Sequence, residues 1–212
     1  MDGNNRWSKK KNINKFKSYS KGANNLIQLS NNIFDKTDVK YITAFALSAN
    51  NLKRSQNIID TILNILDINL DNALKQEINF SISFRGDLRF LSSKLKKKIL
   101  LLEHKVSKNK KKLIILMNYG GRQDIINTSK KINLTNKNIN IKNFYKYSIL
   151  SGIPDPDLLI RTGGYQRISD FLLFNISFTE LFFTKKLWPD LKFIDIEKFI
   201  NKYMKIERKF GL

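Results

Sequence analysis

Six consecutive residues near the start of the chain combine side chains that can bind phosphate groups: Asp2, Gly3, Asn4, Asn5, Arg6 and Trp7. Glycine lets backbone N–H groups approach phosphate oxygens, arginine offers a planar fork of donors, and aspartate can hold a magnesium ion shared with the same oxygens. These residues are interpreted as a loop that cradles a diphosphate. The alternative, from composition alone, is an exposed polar tail.

A second anion-binding segment begins at the end of a short apolar run at 158–161. It comprises Arg161, Thr162, Gly163, Gly164, Arg167, Ile168 and Ser169. Two arginines and a serine beside a flexible pair of glycines suit an anionic group held by several charge-assisted hydrogen bonds. The alternative is that the arginines form structural ion pairs with nearby carboxylates: Asp155, Asp157 and Asp170.

A third candidate is the segment 118–122, with the sequence NYGGR, in which a predicted strand runs into a predicted helix. The dipole and the free N–H groups of a helix start favour an anion, and a tight structural turn explains the same residues. The lysine clusters at 9–11, 94–98 and 108–112 are predicted to be solvated faces. Aromatic residues are not interleaved with them, as binding of single-stranded nucleic acid requires.

Short runs rich in Ile, Leu and Phe alternate with longer stretches of helical period, which predicts an α/β fold with a mostly parallel central sheet flanked by helices. The predicted strands are 41–47, 78–84, 112–118, 158–161 and 181–183. The predicted helices are 19–34, 58–74, 89–104, 122–132, a weaker one near Phe144, and 194–210. Ligands bind open α/β sheets at the carboxyl ends of the strands, so the glycine-bearing segments there are the expected site.

The helix predicted at 58–74 carries apolar residues over much of its circumference. Ile58, Ile62, Ile65 and Ile68 recur at a spacing of three or four residues, and further Ile and Leu residues widen this face. So broad a face is typical of a core helix, and it also suits the wall of a cavity for an apolar ligand.

Composition predicts one globular domain, because the 212 residues are 42% hydrophobic and contain no repeat or Gly/Ser linker. The chain has no cysteine, which excludes disulfides and thiolate metal sites and fits a cytoplasmic location. No signal peptide or membrane-spanning stretch is indicated. The formal charge of +21 fits nucleic acid, an anionic membrane or small anionic substrates, and a general drift towards lysine would also produce it.

Motifs of several other enzyme classes are absent from the sequence. It contains no G-x-x-x-x-G-K-[ST], G-x-G-x-x-G or H-E-x-x-H pattern. Its one histidine, His104, lies in a lysine-rich stretch and is not part of a known metal-binding motif.

Seven segments, taken in order along the chain, resemble the cis-prenyltransferase family. They are 1–7 (MDGNNRW), 48–51 (SANN) with Arg54, 118–122 (NYGGR), 157–164 (DLLIRTGG), 167–169 (RIS), 180–183 (ELFF) and 187–190 (LWPD). Six or more pieces in register over nearly the whole chain are a specific match. The resemblance implies a single catalytic domain over 1–212 with an apolar tunnel. The absence of an Asp-Asp-x-x-Asp cluster disfavours the trans-type prenyl synthases.

The resemblance also implies roles for individual residues. Asp2 and Asn51 are the expected catalytic residues, and Asp2 and Glu180 are the expected contacts of Mg²⁺. The family assigns proton removal to the asparagine. A neutral amide is a poor base, so Asn51 is interpreted as orienting the reacting carbons or relaying a proton to the departing diphosphate.

The expected substrate-binding residues fall into three sets. The allylic diphosphate is expected to contact Gly3, Asn4, Asn5, Arg6 and Arg54. Isopentenyl diphosphate is expected to contact Arg161, Arg167 and Ser169. Further residues of the substrate site, by the same resemblance, are Trp7, Lys15, Tyr19, Ser48, Ala49, Asn50, Leu52 and Ile168.

The implied reaction condenses isopentenyl diphosphate with an allylic diphosphate, with farnesyl diphosphate as the expected starter and undecaprenyl diphosphate as the expected product. A homodimer with peripheral membrane contact at the cytoplasmic face is also implied, and no nucleic-acid partner is expected. Two alternatives remain: a catalytically silent subunit of a heteromeric prenyltransferase, and a basic nucleic-acid-binding protein.

The chain departs from the family pattern at several positions. Met1 stands where relatives have the end of an apolar strand. Either a first strand lies upstream of residue 1, which is the preferred interpretation, or the sheet lacks a central strand. Lys15, Tyr19 and Leu52 replace an arginine, a histidine and a tryptophan, and Lys209 replaces an arginine that reaches the neighbouring subunit's site in relatives. Lysine keeps the charge but loses bidentate geometry, so these changes are expected to lower efficiency more than to alter identity.

Overall fold

Helices and strands alternate along most of the chain in the computed structural model, which describes residues 1–207. The α-helices are α1 (Asn4–Lys11), α2 (Lys15–Lys36), α3 (Gln56–Lys75), α4 (Ser93–Lys105), α5 (Gly121–Leu134), α6 (Ile141–Tyr147) and α7 (Phe193–Tyr203). The strands are β1 (Tyr41–Ser48), β2 (Ser81–Gly86), β3 (Lys112–Tyr119), β4 (Leu158–Arg161) and β5 (Glu180–Phe183). Short 3₁₀ turns occupy Ala49–Lys53, Leu88–Phe90 and Trp188–Asp190.

Strand β3 is the centre of the larger sheet and pairs in parallel with β1 on one side and β2 on the other. Side chains of a strand point alternately to the two faces of its sheet. Accordingly, Leu113, Ile115 and Met117 enter the larger hydrophobic core, and Ile114 and Leu116 enter a second core on the opposite face. The predicted α/β fold is confirmed. One face of β3 packs against helices of the larger core, and the other packs against residues of non-helical segments that include Leu150, Ile153 and Leu172.

A bulge interrupts β3 just before its carboxyl end. Leu47 of β1 pairs with Met117, but the next residue, Ser48, pairs with Tyr119, so Asn118 has no partner in this ladder. Asn118 adopts φ 48°, a left-handed conformation that asparagine tolerates better than most residues. The extra residue turns Tyr119 into the second core, where the alternation would otherwise place Asn118.

Strands β4 and β5 form a separate two-stranded parallel sheet. The sequence predicts one central sheet, and the structure corrects this to two within residues 1–207. Beside the end of β4, the Thr162 hydroxyl bonds to the main-chain N–H of Asp2 at 3.0 Å and to its carbonyl at 3.1 Å. A side-chain hydrogen bond, rather than strand pairing, therefore joins the start of the chain to the end of β4.

The predicted elements differ from the observed ones mainly at their ends. The helix predicted at 89–104 is split, because Ser92 accepts a hydrogen bond from the Leu95 N–H at 3.3 Å and so caps α4, which begins at Ser93. The helix predicted at 194–210 ends at Tyr203. The part of that prediction beyond residue 207, including Lys209, lies outside the described residues.

Two lysines bond to the ends of helices, and one of them, Lys111, belongs to a cluster that was predicted to be a solvated face. Lys105 Nζ donates to the carbonyls of Leu74 at 2.7 Å and Gln76 at 2.6 Å, at the carboxyl end of α3. Lys111 Nζ likewise donates to the carbonyls of Phe34 and Thr37 at the end of α2. Unpaired carbonyls make a helix C-terminus favourable for a cation, so part of the positive charge is structural.

Within residues 1–207, the helices lack the combination of length and hydropathy that a bilayer crossing needs.

Candidate functional site

The segment interpreted as a phosphate-binding loop is largely helical, which corrects that prediction. Gly3, at φ 108°, is the N-cap of α1, and its carbonyl accepts the Trp7 N–H at 2.8 Å. Asp2 and Gly3 precede the helix, whereas Asn4, Asn5 and Arg6 form its first turn. Gly3 has no side chain with which to cap these residues, so their N–H groups face the region beyond the helix start, where an anion is favoured.

Helix α1 is held in place by bonds from distant parts of the chain. Ser18 of α2 donates its hydroxyl to the Asn4 carbonyl at 2.6 Å. The Trp7 indole N–H donates to Asp190 Oδ1 at 2.7 Å, and the Trp188 N–H donates to the Asp2 carbonyl at 3.0 Å. The predicted substrate residue Trp7 thus has a structural partner, and it helps to orient the start of α1.

Asp2 and two arginines converge at the carboxyl end of β4. Arg161 Nη2 lies 3.2 Å from Asp2 Oδ2, and Arg6 Nη2 lies 3.3 Å from Asp2 Oδ1. Arg161 Nη1 also donates to the Ser169 hydroxyl at 2.8 Å and to the Arg167 carbonyl. The two phosphate-binding segments predicted from the sequence, about 160 residues apart, are therefore brought together.

A glycine turn allows the arginines to approach one another. Gly163 has φ 88°, and its carbonyl accepts from Arg6 Nη1 at 2.6 Å. A Cβ atom at Gly163 would lie 2.5 Å from Arg6 Nη2 and 3.2 Å from Asp2 Cγ. A larger residue would displace Arg6, so this turn requires glycine for both its backbone conformation and its space.

The sequence named Thr162 only as a member of the anion-binding segment, without a role, and gave no expectation for Tyr165. Thr162 bonds through its hydroxyl to the Asp2 main chain, and the ring of Tyr165 lies over the guanidinium groups of the cluster. Both stand inside the RTGGYQR segment that was singled out for its arginines and glycines. The only signal available was an aromatic residue placed directly after a glycine pair.

The predicted site residues after β1 lie in a turn of their own, and their role in the site stays a prediction. Ser48 accepts the Asn51 N–H at 3.2 Å and so caps the 3₁₀ turn Ala49–Lys53, which contains Ala49, Asn50 and Leu52. Leu52 packs against the larger hydrophobic core. Arg54 Nη1 donates to the Tyr19 hydroxyl at 3.2 Å, which ties this turn to α2. Lys15 is exposed at the first position of α2.

Glu180 lies away from the arginine cluster along the β4–β5 ladder. Glu180 pairs with Leu158, whereas Arg161 pairs with Phe183, three residues further on. Three residues of a strand span about 10 Å. A shared magnesium contact of Asp2 and Glu180 remains a prediction. Among residues 1–207, no three His, Cys, Asp or Glu side chains are grouped as a metal cage.

The start of α5, the third predicted anion site, is already capped from within the protein. The Gly121 N–H donates to the Asp170 carbonyl at 2.7 Å, and the Arg122 N–H donates to Asp170 Oδ1 at 3.0 Å. Arg122 Nε also lies 3.3 Å from the same carboxylate. These contacts favour the structural turn over the anion site.

A surface cleft of about 770 Å³ lies beside this site without including the arginine cluster. Its lining includes Lys10, Lys21, Lys186, Lys192 and Asp190. The converging charges of Asp2, Arg6 and Arg161, rather than the size of that cleft, define the candidate site.

The helix predicted to line an apolar cavity, α3, has only part of its apolar surface buried. Ile59, Ile65 and Leu70 are buried, and Ile62, Leu63 and Leu66 are half-buried and pack against the larger core. A groove of about 460 Å³ opens beside Leu63 and is also lined by Phe90, Leu91 and Leu95. The helix thus presents apolar side chains both to the core and to a groove.

Comparisons with known proteins agree over the whole chain. Residues 1–211 match the family model described as "Putative undecaprenyl diphosphate synthase". The isoprenyl transferase of Fusobacterium nucleatum is 37% identical over 217 residues, which cover 100% of this chain and 93% of that protein.

Two solved structures are similar. One is lavandulyl diphosphate synthase from Lavandula x intermedia in complex with dimethylallyl diphosphate, with TM-score 0.91, 29% identity, and coverage of 100% of this chain and 95% of that one. The other is a probable undecaprenyl diphosphate synthase from Campylobacter jejuni, with TM-score 0.82, 30% identity, and coverage of 91% and 93%. With its arginine cluster, parallel strands and full-length matches, the chain belongs to the undecaprenyl diphosphate synthase family and is a cis-prenyltransferase of isoprenoid biosynthesis.

Proposed function

We propose that this enzyme condenses isopentenyl diphosphate with an allylic diphosphate, with farnesyl diphosphate as the starter and undecaprenyl diphosphate as the product. The observation that carries the proposal is the single carboxylate of Asp2 shared by Arg6 and Arg161 at the start of α1. Two guanidinium groups share this one carboxylate, and the first turn of α1 has no side-chain cap, which leaves the site short of negative charge. Diphosphates supply such charge and match the donor geometry of arginine.

The two diphosphates are assigned to the two sides of this cluster. The allylic diphosphate is placed against Gly3, Asn4, Asn5 and Arg6. Arg54, at the end of the turn that contains Asn51, is proposed to contact it as well. Isopentenyl diphosphate is placed against Arg161, Arg167 and Ser169. Arg161 already bonds to the Ser169 hydroxyl, so its donors are oriented before substrate arrives. Pre-oriented donors lower the cost of reorganisation as charge develops.

The donor set of Asp2 fits Mg²⁺. A carboxylate oxygen is a hard ligand, and magnesium in enzymes of phosphorylated substrates is commonly held by one or two carboxylates together with substrate phosphates and water. Asp2 would provide the protein contact, and Glu180 is the second contact proposed by resemblance. The chemistry that magnesium supplies when bound is neutralisation of the charge that builds on a leaving diphosphate.

The proposed reaction has three changes of bonding. The allylic C–O bond breaks and its electron pair leaves with diphosphate; the double bond of isopentenyl diphosphate attacks the allylic carbon; and a proton is lost from the carbon next to the new bond. Arg6 and the first turn of α1 stabilise the departing diphosphate. Asn51, whose turn is fixed by Ser48, orients the reacting carbons or passes the proton towards that diphosphate.

The growing hydrocarbon chain is proposed to lie along α3. The half-buried side chains of Ile62, Leu63 and Leu66 provide an apolar wall along which a polyprenyl chain could grow. The volume of the cavity at this wall would set the length of the product. Similar folds carry the names of lavandulyl and of undecaprenyl diphosphate synthases, so product length depends on such details rather than on the fold. By the family resemblance we further propose a cytoplasmic homodimer, and a long lipid product would fit peripheral contact with a membrane.

Incubation of the protein with farnesyl diphosphate, radiolabelled isopentenyl diphosphate and Mg²⁺ tests the proposal. We expect label in long-chain lipid products and its loss in Asp2→Ala, because that change removes the carboxylate shared by the arginines. Asp35→Ala, which changes an exposed carboxylate at the end of α2, is the matched control and should keep activity.

The same assay separates the alternatives. A silent subunit would incorporate no label alone and would raise the activity of a partner prenyltransferase. A nucleic-acid-binding protein would incorporate none and would bind oligonucleotides with an affinity that falls steeply with salt. Either result contradicts the proposed function.

A further inference from the structure

The ring of Tyr165 lies among three guanidinium groups of the candidate site. The guanidinium carbon is 4.2 Å from the ring centroid for Arg167, 4.9 Å for Arg6 and 5.7 Å for Arg161. Cations within about 6 Å of the centroid over an aromatic face are attracted by the negative charge of that face. The Tyr165 ring thus contacts Arg6, from near the start of the chain, and two arginines from a distant segment.

The backbone before Tyr165 fixes the ring in this place. Gly163 and Gly164 have φ 88° and 85°, and their N–H groups donate to the carbonyls of Lys186 at 2.7 Å and Thr184 at 2.9 Å. These two bonds attach the turn to the segment after β5. The Tyr165 ring nevertheless remains 43% exposed, so its placement is not that of a core residue.

The charges of the three arginines are poorly balanced by carboxylates. Arg6 and Arg161 share Asp2, and within residues 1–207 no carboxylate lies within 4.0 Å of the Arg167 guanidinium. The carboxylate nearest in sequence, Asp170, is engaged by Arg122. Like charges held together repel one another, so an empty site of this composition would tend to spread apart.

An aromatic face can oppose this repulsion without occupying the donors. The N–H groups of a guanidinium lie in its plane, so a guanidinium stacked face to face on an aromatic ring does not use them in that contact. A carboxylate partner accepts hydrogen bonds from these N–H groups, as Asp170 does from Arg122. Arg167, which has no carboxylate within 4.0 Å among residues 1–207, can therefore offer its N–H groups to phosphate oxygens.

We infer that Tyr165 is a positioning residue of the diphosphate site, where its aromatic face keeps Arg6, Arg161 and Arg167 together in the arrangement that receives a diphosphate. The inference rests on the proposed function, because it takes the arginine cluster to be a diphosphate site. It predicts that the aromatic ring matters and that the phenolic hydroxyl does not.

Calorimetric titration with inorganic diphosphate tests the inference directly. Tyr165→Phe keeps the ring and is expected to bind within 2-fold of the wild type, as an order-of-magnitude estimate for an unchanged aromatic face. Tyr165→Leu and Tyr165→Met remove the face and are expected to weaken binding by about 5- to 10-fold. In turnover assays the two non-aromatic variants should raise KM for isopentenyl diphosphate by a similar factor and leave kcat nearly unchanged.

Tyr147→Leu provides a matched control. Tyr147 also faces two cations, Lys137 at 5.8 Å and Lys146 at 5.9 Å, but lies on α6 away from the arginine cluster. This variant should bind inorganic diphosphate like the wild type. Thermal unfolding of each variant distinguishes a local effect from a loss of folding, and the two non-aromatic replacements differ in shape so that at least one folded comparison is expected.

The outcomes distinguish a failure of the proposed function from a failure of the positioning role of Tyr165. If the wild type neither binds inorganic diphosphate nor turns over, the proposed function fails and this inference fails with it. If the wild type binds and the folded Leu and Met variants bind equally well, the positioning role of Tyr165 alone is wrong. A Phe variant as weak as the Leu variant would assign the effect to the hydroxyl and would also overturn the inference.

Discussion

Two positively charged regions of this enzyme differ in how their charges are balanced. On the surface of α3 and α4, Lys98 lies 2.5 Å from Asp67 and 2.6 Å from Asp71, and Lys94 lies 2.9 Å from Asp67. At the end of β4, the guanidinium groups of Arg6 and Arg161 share one carboxylate at longer distances of 3.3 and 3.2 Å.

The comparison separates charge that stabilises the fold from charge that is available to a ligand. Hydrogen bonds from Lys98 and Lys94 hold the pKa of Asp67 below its usual value, so that carboxylate is satisfied inside the protein. In the arginine cluster two guanidinium groups share one carboxylate, and the buried Arg161 Nε has no hydrogen-bond partner among residues 1–207. We therefore expect changes in the first region to alter stability and changes in the second to alter binding and turnover.

The largest expected effect is from Arg161→Lys, which keeps the charge but removes the planar fork that bonds Asp2 and Ser169. Charge-assisted hydrogen bonds are worth roughly 1.5–3 kcal/mol, so kcat/KM should fall by about 10²-fold. Steady-state kinetics with both substrates measures this. The matched change Lys98→Met should leave kcat/KM unchanged, and an equal loss in both variants would contradict the division between the two regions.

A smaller effect is expected from Gly163→Ala, which adds a Cβ 2.5 Å from Arg6 Nη2 at a residue with φ 88°. Displacement of Arg6 should raise KM for the allylic diphosphate by about 10-fold, the cost of roughly one charge-assisted bond. Gly164→Ala is a close control, because it has a similar φ of 85° but its Cβ would meet nothing nearer than 3.8 Å. Equal effects of the two changes would show that backbone strain, not Arg6, is responsible.

The smallest effect is expected from Asp67→Asn, which removes the ion pairs with Lys94 and Lys98. Surface pairs contribute little, so the unfolding midpoint at pH 7 should fall by only about 1–3 °C, with activity unchanged.

The pKa of Asp67 is lowered in the folded state. Its contribution to the free energy of unfolding is therefore present above the ordinary pKa of 3.8 and is lost as the pH falls through the pKa of the folded state. Unfolding curves of wild type and variant should therefore converge in acid, and a constant difference between them would be evidence against the ion pairs as its cause.

The parts of the molecule that the sequence predicts well are those with a local apolar pattern. Strand β4 was predicted at its observed bounds, because Leu158, Leu159 and Ile160 form a short apolar run before a glycine turn. The meeting of Asp2 with Arg161 followed from the family resemblance rather than from any periodicity.

The parts that the sequence does not predict depend on distant contacts. Helix α1 has the polar sequence NNRWSKKK and no helical periodicity, and it is held by Ser18 and Asp190. The bulge at Asn118 leaves no sequence signal except an asparagine near a strand end. Tyr165 was overlooked because a single aromatic residue in a turn has no pattern from which its arginine neighbours could be inferred.

The hydrogen bond between Asp2 and Thr162 joins residues 160 positions apart. At a synthesis rate of roughly 5–20 residues per second, Asp2 would wait about 10–30 s on the ribosome before Thr162 is made. A nascent chain could not assemble this site during that interval, so the site forms only after Thr162 has been synthesised.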